Sequence, residues 1–158
     1  MDRIVVLRTV AGIACASAVL AAAGCTPAMP FSTEPVDPGA PPVLLFGSTV
    51  SSQPVVPITG VVGVAEHCVV LRLDDGSFVL PYWPKHFGWS SKGTIATIYG
   101  EIEIGQRLTN TSGSILDWKD YRAAWPAGSE LDAAHARCAS VGARVAPLGT
   151  VEEIPGPE

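Results

Sequence analysis

The sequence predicts a mainly β fold, a small barrel of OB-like or SH3-like type with one short C-terminal helix; a β-sandwich is the alternative. Three observations predict it. Short runs of β-branched and large apolar residues recur along the chain, turns rich in Gly and Asp separate them, and only one late stretch carries a helical period.

Val43-Leu44-Leu45-Phe46 reads as a first short strand, Ser51-Ser52-Gln53-Pro54 interrupts it, and Pro57 marks a new start. Val61, Val62 and Val64 form one strand, and Cys68-Val69-Val70-Leu71-Arg72-Leu73 forms the next. Asp74-Asp75-Gly76 is a turn, with Gly76 free to take positive φ, and residues 77–82 return as the second arm of a hairpin. The alternation of Val69, Leu71 and Leu73 against Val70 and Arg72 implies one buried face and one mixed face.

Residues 94–99 read as another strand, Gly100-Glu101 as a turn, and Ile102 and Ile104 as the return, which Gly105 breaks before Arg107-Leu108. Residues 110–114 are a polar loop. Ser129-Glu130-Leu131-Asp132 resembles a capping box with Asp in place of Glu. Leu131, His135 and Cys138 then share one helical face, and Val141-Gly142 ends the helix. Ala143-Arg144-Val145 and residues 150–154 are candidate closing strands, and the final Pro155-Gly156-Pro157-Glu158 is expected to fray.

The N-terminus carries a different signal. Arg3 and Arg8 precede the uncharged residues 10–23, which end in small residues before Cys25. This is the layout of an export signal. The apolar run is short of the roughly 20 residues a membrane helix needs. Ala22-Ala23-Gly24-Cys25 resembles the bacterial lipobox, and that resemblance implies a diacylglyceryl thioether on Cys25, which becomes the first residue of the mature protein. Ordinary secretion, with cleavage near Ala23 or Ala28, is the alternative. One acyl chain holds a protein to a bilayer only reversibly, whereas two anchor it stably.

The chain of 158 residues carries a net charge of −5, and loss of Asp2, Arg3 and Arg8 with the leader takes this to −6. No basic stripe is left for a phosphate backbone, which argues against nucleic-acid binding. Residues 1–24 are thus read as a signal peptide, 25–42 as the lipidated N-terminus and a Pro-rich tether, 43–155 as one β-rich domain and 156–158 as a disordered tail. The tether holds Pro27, Pro30, Pro35, Pro38, Pro41 and Pro42 with little apolar content between them, a composition that favours the extended polyproline form. A strap lying on the domain is the competing reading.

With Cys15 in the leader and Cys25 acylated, Cys68 and Cys138 remain as a pair, and outside the cytoplasm such a pair forms a disulfide. Closing so long a loop stabilises by about 4 kcal/mol on the chain-entropy estimate. His67-Cys68 and His135-x-x-Cys138 also supply zinc-type ligands. However, adjacent strand residues face opposite ways and export favours oxidation, so no metal is assigned.

Pro81-Tyr82-Trp83-Pro84-Lys85-His86-Phe87-Gly88-Trp89 is the densest aromatic stretch. Tyr82, Trp83, His86, Phe87 and Trp89 are candidates for a ligand surface, since flat rings with polar edges stack on sugars and peptides; the competing reading is a plug over one end of the core. Trp118, Tyr121 and Trp125 have spacings that align in a helix and suit packing. No Gly-x-Ser-x-Gly, His-Glu-x-x-His or phosphate-binding glycine loop occurs, and no cofactor is implied.

The whole arrangement resembles the small lipoproteins of GC-rich, actinobacterial-type bacteria: a lipobox, a Pro-rich segment, and a β domain with Gly60 followed by Cys68-Val69-Val70-Leu71, then Ile104-Gly105-Gln106-Arg107-Leu108 and a late Cys138. The resemblance implies an exported protein held on the outer side of the cell membrane through Cys25. The expected function is a non-catalytic binding or presentation module, with a wall glycan, an exported protein or a small apolar ligand as partner. Two alternatives stand beside it: a hydrolase using His67 or His86 with a carboxylate, and a structural or assembly subunit of an envelope complex.

Overall fold

The computed structural model describes residues 29–47, 56–126 and 128–149, with side chains 110–112 left aside. The leader, Cys25, the Ser51-Ser52-Gln53-Pro54 interruption, the proposed strand at 150–154 and the C-terminal tail lie outside the described residues. Among the described residues the fold is mainly β, with two short helices.

The strands are β1 (Leu45–Phe46), β2 (Val56–Ala65), β3 (Cys68–Leu73), β4 (Phe78–Trp83), β5 (Gly88–Trp89), β6 (Ile95–Thr97), β7 (Gly100–Ile102), β8 (Arg107–Gly113), β9 (Leu116–Asp117) and β10 (Arg144–Pro147). The helices are α1 (Trp118–Arg122) and α2 (Glu130–Ala136). The main sheet runs β8-β2-β3-β4-β10-β9, with β1 also pairing β4; β5, β6 and β7 form a small second sheet.

The main sheet is mixed. β1 and β10 both lie parallel to β4, whereas β2, β3, β4 and β8 are joined by antiparallel pairings. β10 reaches β4 only after the chain has made both helices, as a parallel neighbour requires a crossover. Neither sheet is closed, so what the structure shows is an open mixed sheet and not the barrel expected from the sequence.

The β3–β4 hairpin forms as its sequence dictates. Asp75 accepts hydrogen bonds on Oδ1 from the Ser77 amide at 2.8 Å and the Ser77 hydroxyl at 2.5 Å, and Gly76 sits at φ +80°. Its Oδ1 bonds to Ser77 hold the Asp75 carboxyl below the usual carboxylate range.

Both faces of this hairpin are buried, and each has its own core. Val69, Leu71, Val79 and Trp83 join Ile58, Val62, Ile95, Ile102 and Leu108 on one face. Cys68, Val70, Leu80 and Tyr82 join Leu45, Tyr121, Leu131 and Val145 on the other. Alternate side chains of a strand face opposite ways, so a run such as Cys68-Val69-Val70-Leu71 must be covered twice. The face of Val70 and Arg72 is mixed, as the alternation implies: Val70 is buried under the helices and the segment before β1, while Arg72 stays exposed beside Phe31.

That segment does not stand away from the domain. Ser32 and Val64 exchange backbone hydrogen bonds of 2.9 Å in both directions, Val43 donates to the His67 carbonyl at 2.7 Å, and Val69 donates to Val43 at 3.1 Å. Phe31 packs on Phe78 with ring centroids 5.5 Å apart, and the Arg72 guanidinium lies 4.4 Å from the Phe31 ring centre. Residues 29–42 are thus a strap, which corrects the tether reading and extends the folded unit back from residue 43 to residue 29.

The sheet makes room for it. β8 pairs β2 only as far as Val61, and beyond that point Ser32 takes the edge position opposite Val64. A Cβ at Gly63 would fall on the Phe31 ring and would meet the Ser32 carbonyl at 2.7 Å.

Two hairpin tips differ from the sequence reading. The β6–β7 turn falls at Ile98 and Tyr99, two residues earlier than Gly100-Glu101. The β2–β3 turn is Glu66-His67, both at positive φ (46° and 65°), a two-residue loop whose backbone normally calls for Asn-Gly.

Gly63→Ala and Phe31→Ala should each lower unfolding free energy by about 1–3 kcal/mol, by overpacking and by loss of the anchor respectively. Chemical denaturation of the oxidised domain reads this directly. A tether clear of the sheet would leave both variants as stable as the parent.

Candidate functional site

The five aromatic-stretch residues do not make one surface. Tyr82 and Trp83 are 0% exposed and Phe87 is 4% exposed. As neighbours on β4, Tyr82 and Trp83 enter opposite cores. Trp89 is half-buried, and its indole N–H donates to the Pro42 carbonyl at 2.9 Å, which fixes the strap. His86 is exposed, edge-on against Phe87 at 4.9 Å. The stretch therefore serves packing and strap anchorage, with Tyr82, Trp83 and Phe87 buried as in the plug reading and His86 left exposed.

His67 and His86 are both exposed, and neither imidazole has a hydrogen-bond or ion-pair partner among the described residues. Glu66 and His67 are accounted for as the turn between β2 and β3. Among the described residues no carboxylate orients either imidazole, whereas the hydrolase reading calls for one beside His67 or His86.

Cys68 and Cys138 form a disulfide, with Cα atoms 5.9 Å apart. It joins the first residue of β3 to the turn just past α2. Both thiols are consumed, so the His/Cys zinc set has no thiolate to offer. No group of three His, Cys, Asp or Glu residues comes together among the described residues.

The ordered polar chemistry lies behind that bridge, around the third histidine. His135 is 6% exposed and its Nδ1 lies 2.8 Å from the Tyr82 hydroxyl. The Trp118 indole lies flat on the imidazole, with centroids 3.6 Å apart and planes 6° apart. Burial pushes the Tyr82 phenol well above its usual range, with the hydroxyl of Tyr121 and the charge of Asp132 adding to it. Burial also lowers the His135 pKa, against a smaller opposing pull from Asp132. The pair is a neutral phenol–imidazole hydrogen bond.

Asp132 is held at the other end of α2. The Arg122 guanidinium grips its carboxylate through Nε and, at 2.6 Å, through Nη2, while Nη1 donates to the Trp125 carbonyl at 2.6 Å. The Gly128 amide adds a bond of 3.0 Å. The hydrogen bond from Arg122 is the main reason the Asp132 carboxyl lies below the usual range. The capping box expected at Ser129 is thus not formed: the Ser129 side chain makes no cap, and Asp132 faces Arg122.

This arrangement leaves a cavity of about 520 Å³ on the outer side of α2, lined by Leu44, Phe46, Lys85, Trp125, Ser129, Glu130, Leu131, Ala134 and Arg137. Glu130, Ala134 and Arg137 lie at spacings of four and three along α2, next to the inward stripe of Leu131, His135 and Cys138. The walls are largely apolar, and Phe46 keeps 39% of its surface exposed there. Trp125 Nε1 and Ser129 Oγ are buried and have no hydrogen-bond partner among the described residues.

The sequence reading placed Lys85 in the aromatic stretch and Trp125 in packing, but nothing in it joined them to Leu44, Phe46 and α2. The only local signal was the second stripe on α2. No family model, curated protein or solved structure matches the chain.

The lowered His135 pKa sets a pH dependence. An imidazole whose folded pKa is depressed contributes fully above its unfolded value of 6.5, and that contribution is lost as pH falls through the folded value. Thermal melts between about pH 7.5 and about pH 5, above the carboxylate range, should show stability falling with acidification. His135→Gln should flatten the curve. Parallel curves for the two proteins would contradict this role for His135.

Proposed function

We propose that this chain is a lipid-anchored cell-envelope protein whose extracytoplasmic domain is a non-catalytic binding module, and that the module takes its ligand in the cavity beside α2. The observation that carries the reading is the cavity itself. Its volume falls within the 300–1,000 Å³ typical of small-molecule sites, and apolar walls with a few convergent polar groups are the usual lining of such sites.

Export is supported by the basic-then-apolar leader and by the Cys68–Cys138 bridge, which suits an oxidising compartment. Among the described residues no helix is long and apolar enough to cross a membrane, so attachment rests on the acyl chains proposed for Cys25. The strap begins four residues beyond that cysteine, which would keep the domain close to the bilayer surface.

Among the described residues the assembly-subunit alternative draws on Val56, 44% exposed, and on the neighbouring Ile98 and Tyr99, 65% and 52% exposed at the β6–β7 tip. Two neighbouring residues make a small patch, well below the area that marks a partner surface.

Three measurements test the proposal, two of them on protein extracted from its own membrane. Intact mass should give a first residue of diacylated Cys25, and Cys25→Ser should move the protein to the soluble fraction. Native mass spectrometry should find a bound small molecule, lost in Ala134→Trp, which fills the cavity from a half-exposed position without disturbing the Cys68–Cys138 bridge. An unacylated first residue would end the anchored reading, and ligand retained in Ala134→Trp would end the assignment to this cavity.

A further inference from the structure

Within that binding reading, we infer that the cavity beside α2 takes a free monoanionic amphiphile: an aliphatic or aromatic body carrying a single carboxylate. The argument begins with the charges. Lys85 and Arg137 line the cavity from the corner after β4 and from the end of α2. Neither side chain has an ion-pair or hydrogen-bond partner among the described residues. The other charged lining residue, Glu130, is likewise unpaired. The lining therefore has one uncompensated positive charge in a chain whose net charge is −5.

A carboxylate supplies the negative charge that the unpaired Lys85 and Arg137 side chains call for, and its two oxygens can accept hydrogen bonds from them. Glu130 at the rim disfavours a second negative charge. Leu44, Phe46, Leu131 and Ala134 leave the rest of the cavity apolar, which excludes a sugar or a phosphate without a hydrophobic body.

The test is calorimetric titration of the oxidised Cys25→Ser protein with three monomeric probes of equal chain length: decanoate, decanol and decyltrimethylammonium. Decanoate should bind one to one and at least tenfold more tightly than decanol. The double variant Lys85→Gln/Arg137→Gln should bring decanoate to within about twofold of decanol while leaving decanol unchanged. Both side chains are exposed, and a circular-dichroism melt confirms that the variant is folded.

Decanol or the cation binding as tightly as decanoate, with Ala134→Trp still abolishing it, would overturn the carboxylate and spare the binding module. Preference for phosphatidylglycerol vesicles over free decanoate, lost in the double variant, would overturn the free ligand in favour of a lipid surface. No binding of any probe would sink the ligand class and the cavity together.

Discussion

The disulfide between Cys68 and Cys138 is the constraint on which the second face of the sheet depends. A seven-residue helix has almost no stability of its own in water, because nucleation is costly and only a few hydrogen bonds follow. α2 is held at three points along its length. Arg122 grips Asp132 near its start, Tyr82 and Trp118 hold His135 near its end, and the bridge fixes the turn beyond it. Of these, only the bridge acts on the unfolded chain, by shortening a loop of 70 residues.

From that attachment the rest follows in order. With α2 in place, Val70, Leu80 and Tyr82 are covered and β3–β4 becomes a strand pair buried on both sides. The same helix turns Glu130, Ala134 and Arg137 outward to the space before β1, and this space is the cavity. The buried hydrogen bond between Tyr82 and His135 is uncharged at neutral pH, so it closes the core without a buried ion. The charges stay at the rim, where a ligand can meet them.

What was legible in the sequence was local or forced by parity. The β3–β4 hairpin could be read from Asp75, Gly76 and the apolar runs on either side, and the α2 region from its periodicity. The cysteine pair followed from what was left once the leader was set aside. The strap was not legible, because a Pro-rich composition hides single anchors: Phe31 and the Trp89–Pro42 hydrogen bond, each supplied by contact with residues far along the chain. The closed barrel expected from the sequence is not confirmed for a related reason. Short strands are written in the sequence, but the parallel placement of β10 beside β4 is not. The cavity joins β1, the corner after β4 and α2, and no periodicity links them. The aromatic stretch left packing and a ligand surface both open, because alternation along β4, which sends its largest rings to opposite sides, shows only once the sheet is built.

Amide hydrogen exchange, compared between the oxidised protein and the protein with Cys68 and Cys138 reduced, tests the central claim most directly. Reduction should deprotect residues 130–138 and the cavity wall while the β2–β3–β4 amides keep most of their protection. Equal protection of α2 in both redox states would show that the helix is held without the bridge, and the order of dependence set out above would be wrong.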